Sequence, residues 1–443
     1  MILIGITKEL GRRIMRRLSF SDTRHLVART ALGAEWGGLK ALEGKTRSEA
    51  VDILLTPGLI RTPPLPRLTP WATVNHMSQK NGLGKQRAHK MMKAEGERLK
   101  RWWMLHLLQT KTPVNEHMTL FWHNHFTSSL EKVGQPRLIY LQNQLLRQNA
   151  LGNFRKLLHK VARDPAMLIY LDGSKNVKGS PNENFARELL ELFTVGRGNY
   201  SEADVKAAAI AFTGWGVDRN RGTFVYNSRK HENKRVTFLG KTASFTGDQI
   251  IDRILEKPQV AENIAKKIWK EFVSDMHPDP RLIKKWGIVF KDSNYDIKTL
   301  MAEVLKSDAF WSAKYRGTLT KSPIDLLVGT LRTLPFPKLS DKQLVHISQL
   351  LGQDLFDPST VKGWDGGTAW IDTQTLLVRT SFLTKLARHS RTSAKMQSYL
   401  PKTTGSEVVR WLLPFEPALP LPTTPGKRRM IRALMLDPVF QLK

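Results

Sequence analysis

The sequence contains no cysteine. Disulfide bonds, cysteine-ligated zinc or iron–sulfur clusters and a thiol nucleophile are therefore excluded. The compartment is not fixed by this, since an exported protein can also lack cysteine. Acidic residues are scarce beside basic ones: 39 Asp and Glu against 70 Lys and Arg give a formal charge of +31 over 443 residues. No long uninterrupted apolar run occurs, so no transmembrane helix is expected. No apolar segment follows Arg12, Arg13, Arg16 and Arg17, so no secretory signal is expected either. Also missing are a Walker loop, a dinucleotide glycine fingerprint, a Gly-x-Ser-x-Gly elbow and an EF-hand loop. No nucleotide or dinucleotide cofactor is indicated, and the cofactor is left open, a metal included.

What remains is a globular composition, 41% hydrophobic, in a chain long enough to bury a substantial core. The charge favours an anionic partner: a polysaccharide, nucleic acid or an anionic lipid surface. A basic excess can equally be a matter of solubility. Its densest stretch carries Lys85, Arg87, Lys90, Lys93, Arg98, Lys100 and Arg101 against Glu95 and Glu97, and further basic residues are scattered to Lys427, Arg428 and Arg429. No single tail holds the excess, and nothing in the pattern sets an oligomeric state.

Helical periodicity dominates, and the expected fold is mainly α: a multi-helix globular fold with a small β-hairpin or irregular insertion near 215–245. Helices are expected over 24–43, 46–55, 85–110, 114–129, 136–149, 152–163, 182–195 and 201–212, the last opened by a capping-box-like Ser201-Glu-Ala-Asp204. They resume at 247–256, 258–274, 278–291, 296–306, 321–335, 340–352, 373–391 and 427–436. Residues 1–23 read as a basic N-terminal segment and 24–391 as an α-helical domain, with a break into two lobes allowed near 215–245. Residues 392–443 read as a proline-rich stretch and a basic helix.

Several motifs then resemble one family. They are Phe121-Trp-His-Asn-His-Phe126, the stretch Glu183–Gly196, Tyr200–Trp215, and Val361-Lys-Gly-Trp-Asp-Gly-Gly-Thr-Ala-Trp370. His25–Gly33 and Lys321–Val328 add to the likeness, which spans about residues 24–391. The chain resembles the bacterial domain of unknown function 1800 family. The resemblance implies an exported protein, since members are mostly predicted to be exported, and it implies no particular activity. His231-Glu-Asn-Lys234 departs from the family's His-Asp-x-Gly-x-Lys.

Two constellations could carry chemistry. His123 and His125, with His117 nearby, are weak candidates for metal ligation or proton transfer. Two residues apart on a helix, they point about 200° from each other and share one ion only if the helix ends there. The alternative is hydrogen-bonded structural histidines beside Trp122. The second set is Glu183, Arg187, Glu188 and Glu191. Four-residue spacing makes the pairs Glu183–Arg187 and Arg187–Glu191 helix-stabilising, by about 0.2–0.5 kcal/mol each. Carboxylates flanking Leu189, Leu190 and Leu192 could instead face inward as an acid–base site. His123, Arg187, Glu188 and Glu191 are thus the catalytic candidates. Trp122, Glu183, Trp215, His231, Trp364 and Trp370 are the candidate ligand-binding residues, the tryptophans through stacking on sugars, bases or cations. Aromatic anchoring of loops on the core is the competing role for them. Three functions follow: binding or processing an anionic polymer such as a glycan in the envelope or outside the cell; nucleic-acid binding through basic helices; and a metal-dependent enzyme using His123 and His125 with Glu188 and Glu191.

Overall fold

Short polar boxes start the helices. Ser19–Asp22, Thr46–Glu49, Ser201–Asp204, Thr246–Gln249, Ser322–Asp325, Ser340–Gln343 and Thr404–Glu407 each exchange two side-chain-to-backbone hydrogen bonds at a helix N-terminus. Prolines at the first turn, such as Pro113, Pro136, Pro258 and Pro280, mark others, because the missing N–H is one the helix would leave unpaired. A computed structural model describes residues 17–56, 58–60, 63–79, 82–334, 336, 339–389, 404–422 and 427–443. Arg12, Arg13 and Arg16 of the basic N-terminal segment lie outside the described residues, as does all of 390–403.

The fold is mainly α. The helices that bear on the cavity and its supports are α1 (Phe20–Thr30), α2 (Leu83–Gln109), α3 (Pro113–His125), α4 (Pro136–Gln148), α5 (Asn184–Glu188), α6 (Pro258–Phe272) and α7 (Pro323–Thr333). Among the described residues the only sheets are two antiparallel pairs within the 215–245 region: β1 (Trp215–Val217) with β2 (Phe224–Tyr226), and β3 (Arg235–Phe238) with β4 (Lys241–Ser244). One continuous buried cluster runs from Leu18 to Phe440. No described helix is long and apolar enough to cross a membrane. The stretch expected as one helix over 24–43 is two, α1 and Trp36–Leu42, broken where Gly33 adopts φ +100° against the Gly329 backbone. Helices at Trp71–Ser78, Pro165–Tyr170 and Gly405–Leu412 have no counterpart in the periodicity reading, because the first follows a proline-rich run and the others are too short to show a period.

The α3 helix is buried along its whole length, from Val114 through His123 and at His125. Its polar side chains therefore lose water and must be paired. Glu116 accepts from both Arg147 Nη2 (2.6 Å) and Arg147 Nε (2.8 Å) on α4, and from Trp103 Nε1–H (2.6 Å) and His106 Nε2–H (3.0 Å) on α2. Burial on its own raises the Glu116 pKa. The Arg147 guanidinium and His106 outweigh that and hold the carboxyl at about 2. A single carboxylate thus ties three helices together.

Glu116→Gln leaves Arg147 buried without its anion, and an uncompensated buried charge costs about 3–5 kcal/mol. Chemical denaturation should show a loss of that size; an unchanged midpoint would refute this role. Because the folded pKa is depressed, the contribution of Glu116 is complete above the ordinary glutamate value of 4.5 and is lost as pH falls toward about 2. The acid limb of the wild-type stability curve should therefore contain a component in that window that E116Q lacks.

Candidate functional site

Where α3, α6, the start of α7 and the 361–370 loop meet, they enclose a cavity of ≈290 Å³. That is at the small end of ligand cavities, which run from about 300 to 1,000 Å³. Phe121, Trp364 and Trp370 supply apolar wall, and four lysines (Lys267, Lys270, Lys362, Lys443) and four acids (Glu271, Asp275, Asp325, Asp365) supply charge.

Two of the lining residues, Lys267 and His125, are held from behind by backbone carbonyls. After Glu188, α5 continues as a π turn over Leu189–Phe193. The last carbonyls of this segment, as at any helix C-terminus, have no intrahelical donor. Two of these are used here. Leu192 C=O accepts from Lys267 Nζ (2.8 Å), and Phe193 C=O accepts from His125 Nε2–H (3.2 Å). With Nε2 as donor, His125 Nδ1 carries a lone pair, and it takes a hydrogen bond from Lys267 Nζ at 2.9 Å. Burial, with the charge of Lys270 one turn away, pushes the Lys267 amine down to about 8. Burial also drives the His125 pKa well down, helped by Lys267, so the ring is neutral.

The carboxylates divide by environment. Both ring nitrogens of His117 face acceptors, the Thr30 carbonyl (3.2 Å) and Glu271 Oε1 (2.9 Å). Burial raises the Glu271 pKa, but the His117 hydrogen bond and charge reverse that and lower it. Asp275, four residues on, is shifted the other way, raised chiefly by burial. Its Oδ2 is buried and has no hydrogen-bond partner. Asp325 is committed elsewhere: it caps α7 through Ser322 and accepts from Lys443 Nζ at 2.6 Å.

The 361–370 loop is hung on α3. Asn124 Oδ1 accepts the Trp364 N–H (2.7 Å), and the Asn124 amide nitrogen lies 3.5 Å from the Trp364 carbonyl, so the side chain mimics a neighbouring strand. Gly363 is required beside it. Its φ is +87°, and an added Cβ would sit 2.5 Å from the Asn124 carbonyl oxygen. Gly367, at φ +61°, plays the same part for Asp275, whose Oδ2 lies 3.0 Å from where a Cβ would be. Trp364 is 7% exposed, and its indole N–H has no partner.

Among the residues singled out from sequence, the structure brings His125, Trp364 and Trp370 to this cavity. His123 sits behind it, its ring 5.2 Å from Trp103, 5.4 Å from Phe356 and 5.8 Å from Trp364, with Nε2 unpartnered. α3 ends at His125 rather than near 129, yet the two histidines still face different surroundings. Among the described residues no group of three or more His, Asp or Glu side chains is placed to hold a metal. Trp122 is core, its indole N–H donated to the Ala150 carbonyl. Trp215 packs between Phe212 and Phe224 under Arg163. His231 is held at the Thr213 carbonyl, 3.0 Å away. Arg187 bridges Glu183 (2.9 Å) and Glu202 (2.6 Å), and Glu191 accepts from Tyr200 Oη (2.6 Å). Glu188 is half-buried and its pKa is raised, first by burial and then by Glu191. None of these last residues lines the cavity.

Sequence reasoning did not single out Asn124, Lys267, Lys270, Glu271, Asp275 or Lys362. A signal existed for two of them. Lys267 follows Ile264 by three residues and Glu271 follows Ile268 by three, so both fall on the edge of the buried stripe of α6. A charged residue on an apolar stripe is a candidate for inward use. Asn124 and Asp275 gave no such sign.

The family described as "Protein of unknown function (DUF1800)" matches residues 25–442, nearly the whole chain. No curated protein and no solved structure matches.

Gly363→Ala adds a Cβ at a left-handed position, which costs about 1–2 kcal/mol before any clash. Hydrogen exchange should show the Trp364 amide losing protection in both G363A and Asn124→Ala; retained protection in either would refute the clamp. His123 is held neutral, its pKa lowered to about 3 by burial, so its share of stability is complete above the ordinary histidine value of 6.5 and is lost as pH falls toward 3. His123→Phe should fold and show a shallower loss of thermal stability between about pH 6 and 4; an identical slope would mean that His123 does not titrate as described.

Proposed function

The chain belongs to the DUF1800 family of proteins of unknown function, and we propose that its cavity binds, and is equipped to process, one sugar unit of an anionic glycan. One observation carries the reading. A buried indole N–H on Trp364 and a buried carboxylate oxygen on Asp275, both without partners, belong to residues lining the same small cavity. A sugar hydroxyl is donor and acceptor at once, the chemistry that these two atoms lack. Phe121 and Trp370 offer faces for ring stacking, and Lys270 and Lys362 offer cations for an acidic substituent. Asp275, with its raised pKa, is the better proton donor, and Glu271, with its lowered pKa, is the better carboxylate base. Carboxyl groups whose environments push their pKa values apart are the usual arrangement for acid–base work on a glycosidic bond. In this role Asp275 would protonate the leaving oxygen, and Glu271 would take the proton from water or hold the developing cation.

The test is retention on heparin and on polygalacturonate, followed by calorimetry with their monosaccharide and disaccharide units. Wild type should bind with salt-sensitive affinity, and Lys270→Met should weaken binding about tenfold, the worth of one charge-assisted hydrogen bond. Asp275→Asn should bind but leave any cleaved product undetected. If no glycan, acidic or neutral, is retained at low salt, the reading fails.

Nucleic-acid binding has one observation in its favour: Lys85, Arg87, Lys90, Lys93 and Arg98 are all exposed on α2. Lys100 does not join them. It is buried in ion pairs with Asp354 (2.7 Å) and Asp357 (2.9 Å). A steep fall of DNA or RNA affinity with salt, abolished by reversing these five charges, would favour this alternative over the glycan.

A further inference from the structure

Lys267 differs from a solvated lysine in the company its nitrogen keeps. Its two contacts, the Leu192 carbonyl at 2.8 Å and His125 Nδ1 at 2.9 Å, are both neutral acceptors. The first is a carbonyl left without an intrahelical donor at the C-terminal end of its helix. The second is an acceptor because His125 spends its Nε2–H on the Phe193 carbonyl. An uncharged amine has two N–H bonds, and here both are engaged. What is left on the nitrogen is its lone pair, in a residue that lines the cavity.

We infer that Lys267 is a carbonyl-reactive amine that condenses with an aldehyde or ketone held in this cavity, the open-chain aldehyde of a reducing sugar being the class that fits. The inference rests on the cavity being a sugar-sized ligand site, but not on the ligand being anionic. Nζ adds to the carbonyl carbon, forming the C–N bond as the C=O π pair moves to oxygen. One Nζ proton passes to that oxygen, giving a carbinolamine. Asp275 then donates a proton to the hydroxyl, the C–O bond breaks, water leaves, and the nitrogen lone pair forms the C=N bond. The products are a protonated imine, water and the Asp275 carboxylate, with no oxidant or reductant consumed. The remaining N–H of the imine keeps its hydrogen bond to Leu192 C=O or His125 Nδ1. The low affinity of Lys267 for its proton, set by burial and by Lys270, makes the uncharged amine available near neutral pH.

The experiment is reductive trapping of the full chain with glycolaldehyde or glyceraldehyde and cyanoborohydride, read peptide by peptide by mass spectrometry. Lys267 should be modified roughly tenfold or more faster at pH 7 than the exposed Lys85 and Lys90, as its larger uncharged fraction requires. The labelling rate of Lys267 should rise with a midpoint near 8. The other charged and titratable groups lining the cavity are His125, Lys270, Glu271, Asp275, Asp325, Lys362, Asp365 and Lys443. In Lys267→Met the fast site should vanish while circular dichroism stays that of wild type. His125→Phe should slow labelling at Lys267 without changing Lys85 or Lys90. Labelling of Lys267 at the rate of Lys90 would overturn the inference. Fast labelling without retention on any glycan would keep the amine and discard the glycan reading, and retention without fast labelling would do the reverse.

Discussion

Everything around the cavity depends on the requirement that a helix with no solvent-facing side must satisfy its own polar groups. α3 carries Asn115, Glu116, His117, Thr119, His123, Asn124 and His125, and nearly all of them are buried. Each pairing recruits another part of the chain. Glu116 brings in α2 and α4, and His117 reaches back to Thr30 and forward to Glu271. Asn124 takes the 361–370 loop, while His125 takes the π turn and, through Nδ1, Lys267. Buried polar networks cost free energy when partly satisfied and specify one arrangement when complete. The cavity lies among the partners of this helix, which is why groups far apart in sequence arrive there with fixed orientations.

The same requirement changes how the charge of +31 is understood. Some of the cations are inside. Arg24 donates to the Trp411 and Leu412 carbonyls, Arg29 to those of Val273 and Tyr315, and Arg379 to that of Lys321. All three are less than 5% exposed. They tie segments together through backbone oxygens, not through carboxylates, so they add to the formal charge without adding to a surface. A positive balance in composition therefore overstates what a polyanion would meet.

The helical plan was legible from the sequence because its signals are local. Capping boxes and first-turn prolines act within one turn, and apolar spacing within three. The role of Asn182–Val195 was not legible in the same way. Its charged side chains drew attention, yet Arg187 and Glu191 are occupied with Glu202 and Tyr200, and the segment serves the cavity only by holding Lys267 and His125 through the carbonyls of Leu192 and Phe193. Backbone atoms carry no letter in a sequence. The Phe121–Phe126 motif was recognised as distinctive, but which histidine would serve turned on the last turn of a helix whose end was expected four residues later. Lys267 and Asp275 were overlooked because their surroundings, not their identities, set them apart.

The hold of Asn124 on Trp364 has a consequence for the chain that carries the tryptophan. A connection of some fifteen residues between Leu355 and Ile371 would ordinarily be positioned by its two ends, and the entropy of closing such a loop grows with its length. Here the Asn124 side chain fastens it in the middle, and the backbone bond from Leu130 N–H to Phe356 C=O fastens it near its start. One long closure becomes two short ones. The distance from Trp364 to the rest of the cavity is then set by α3 and is indifferent to insertions on either side of the clamp, so this loop is free to lengthen without displacing its aromatic.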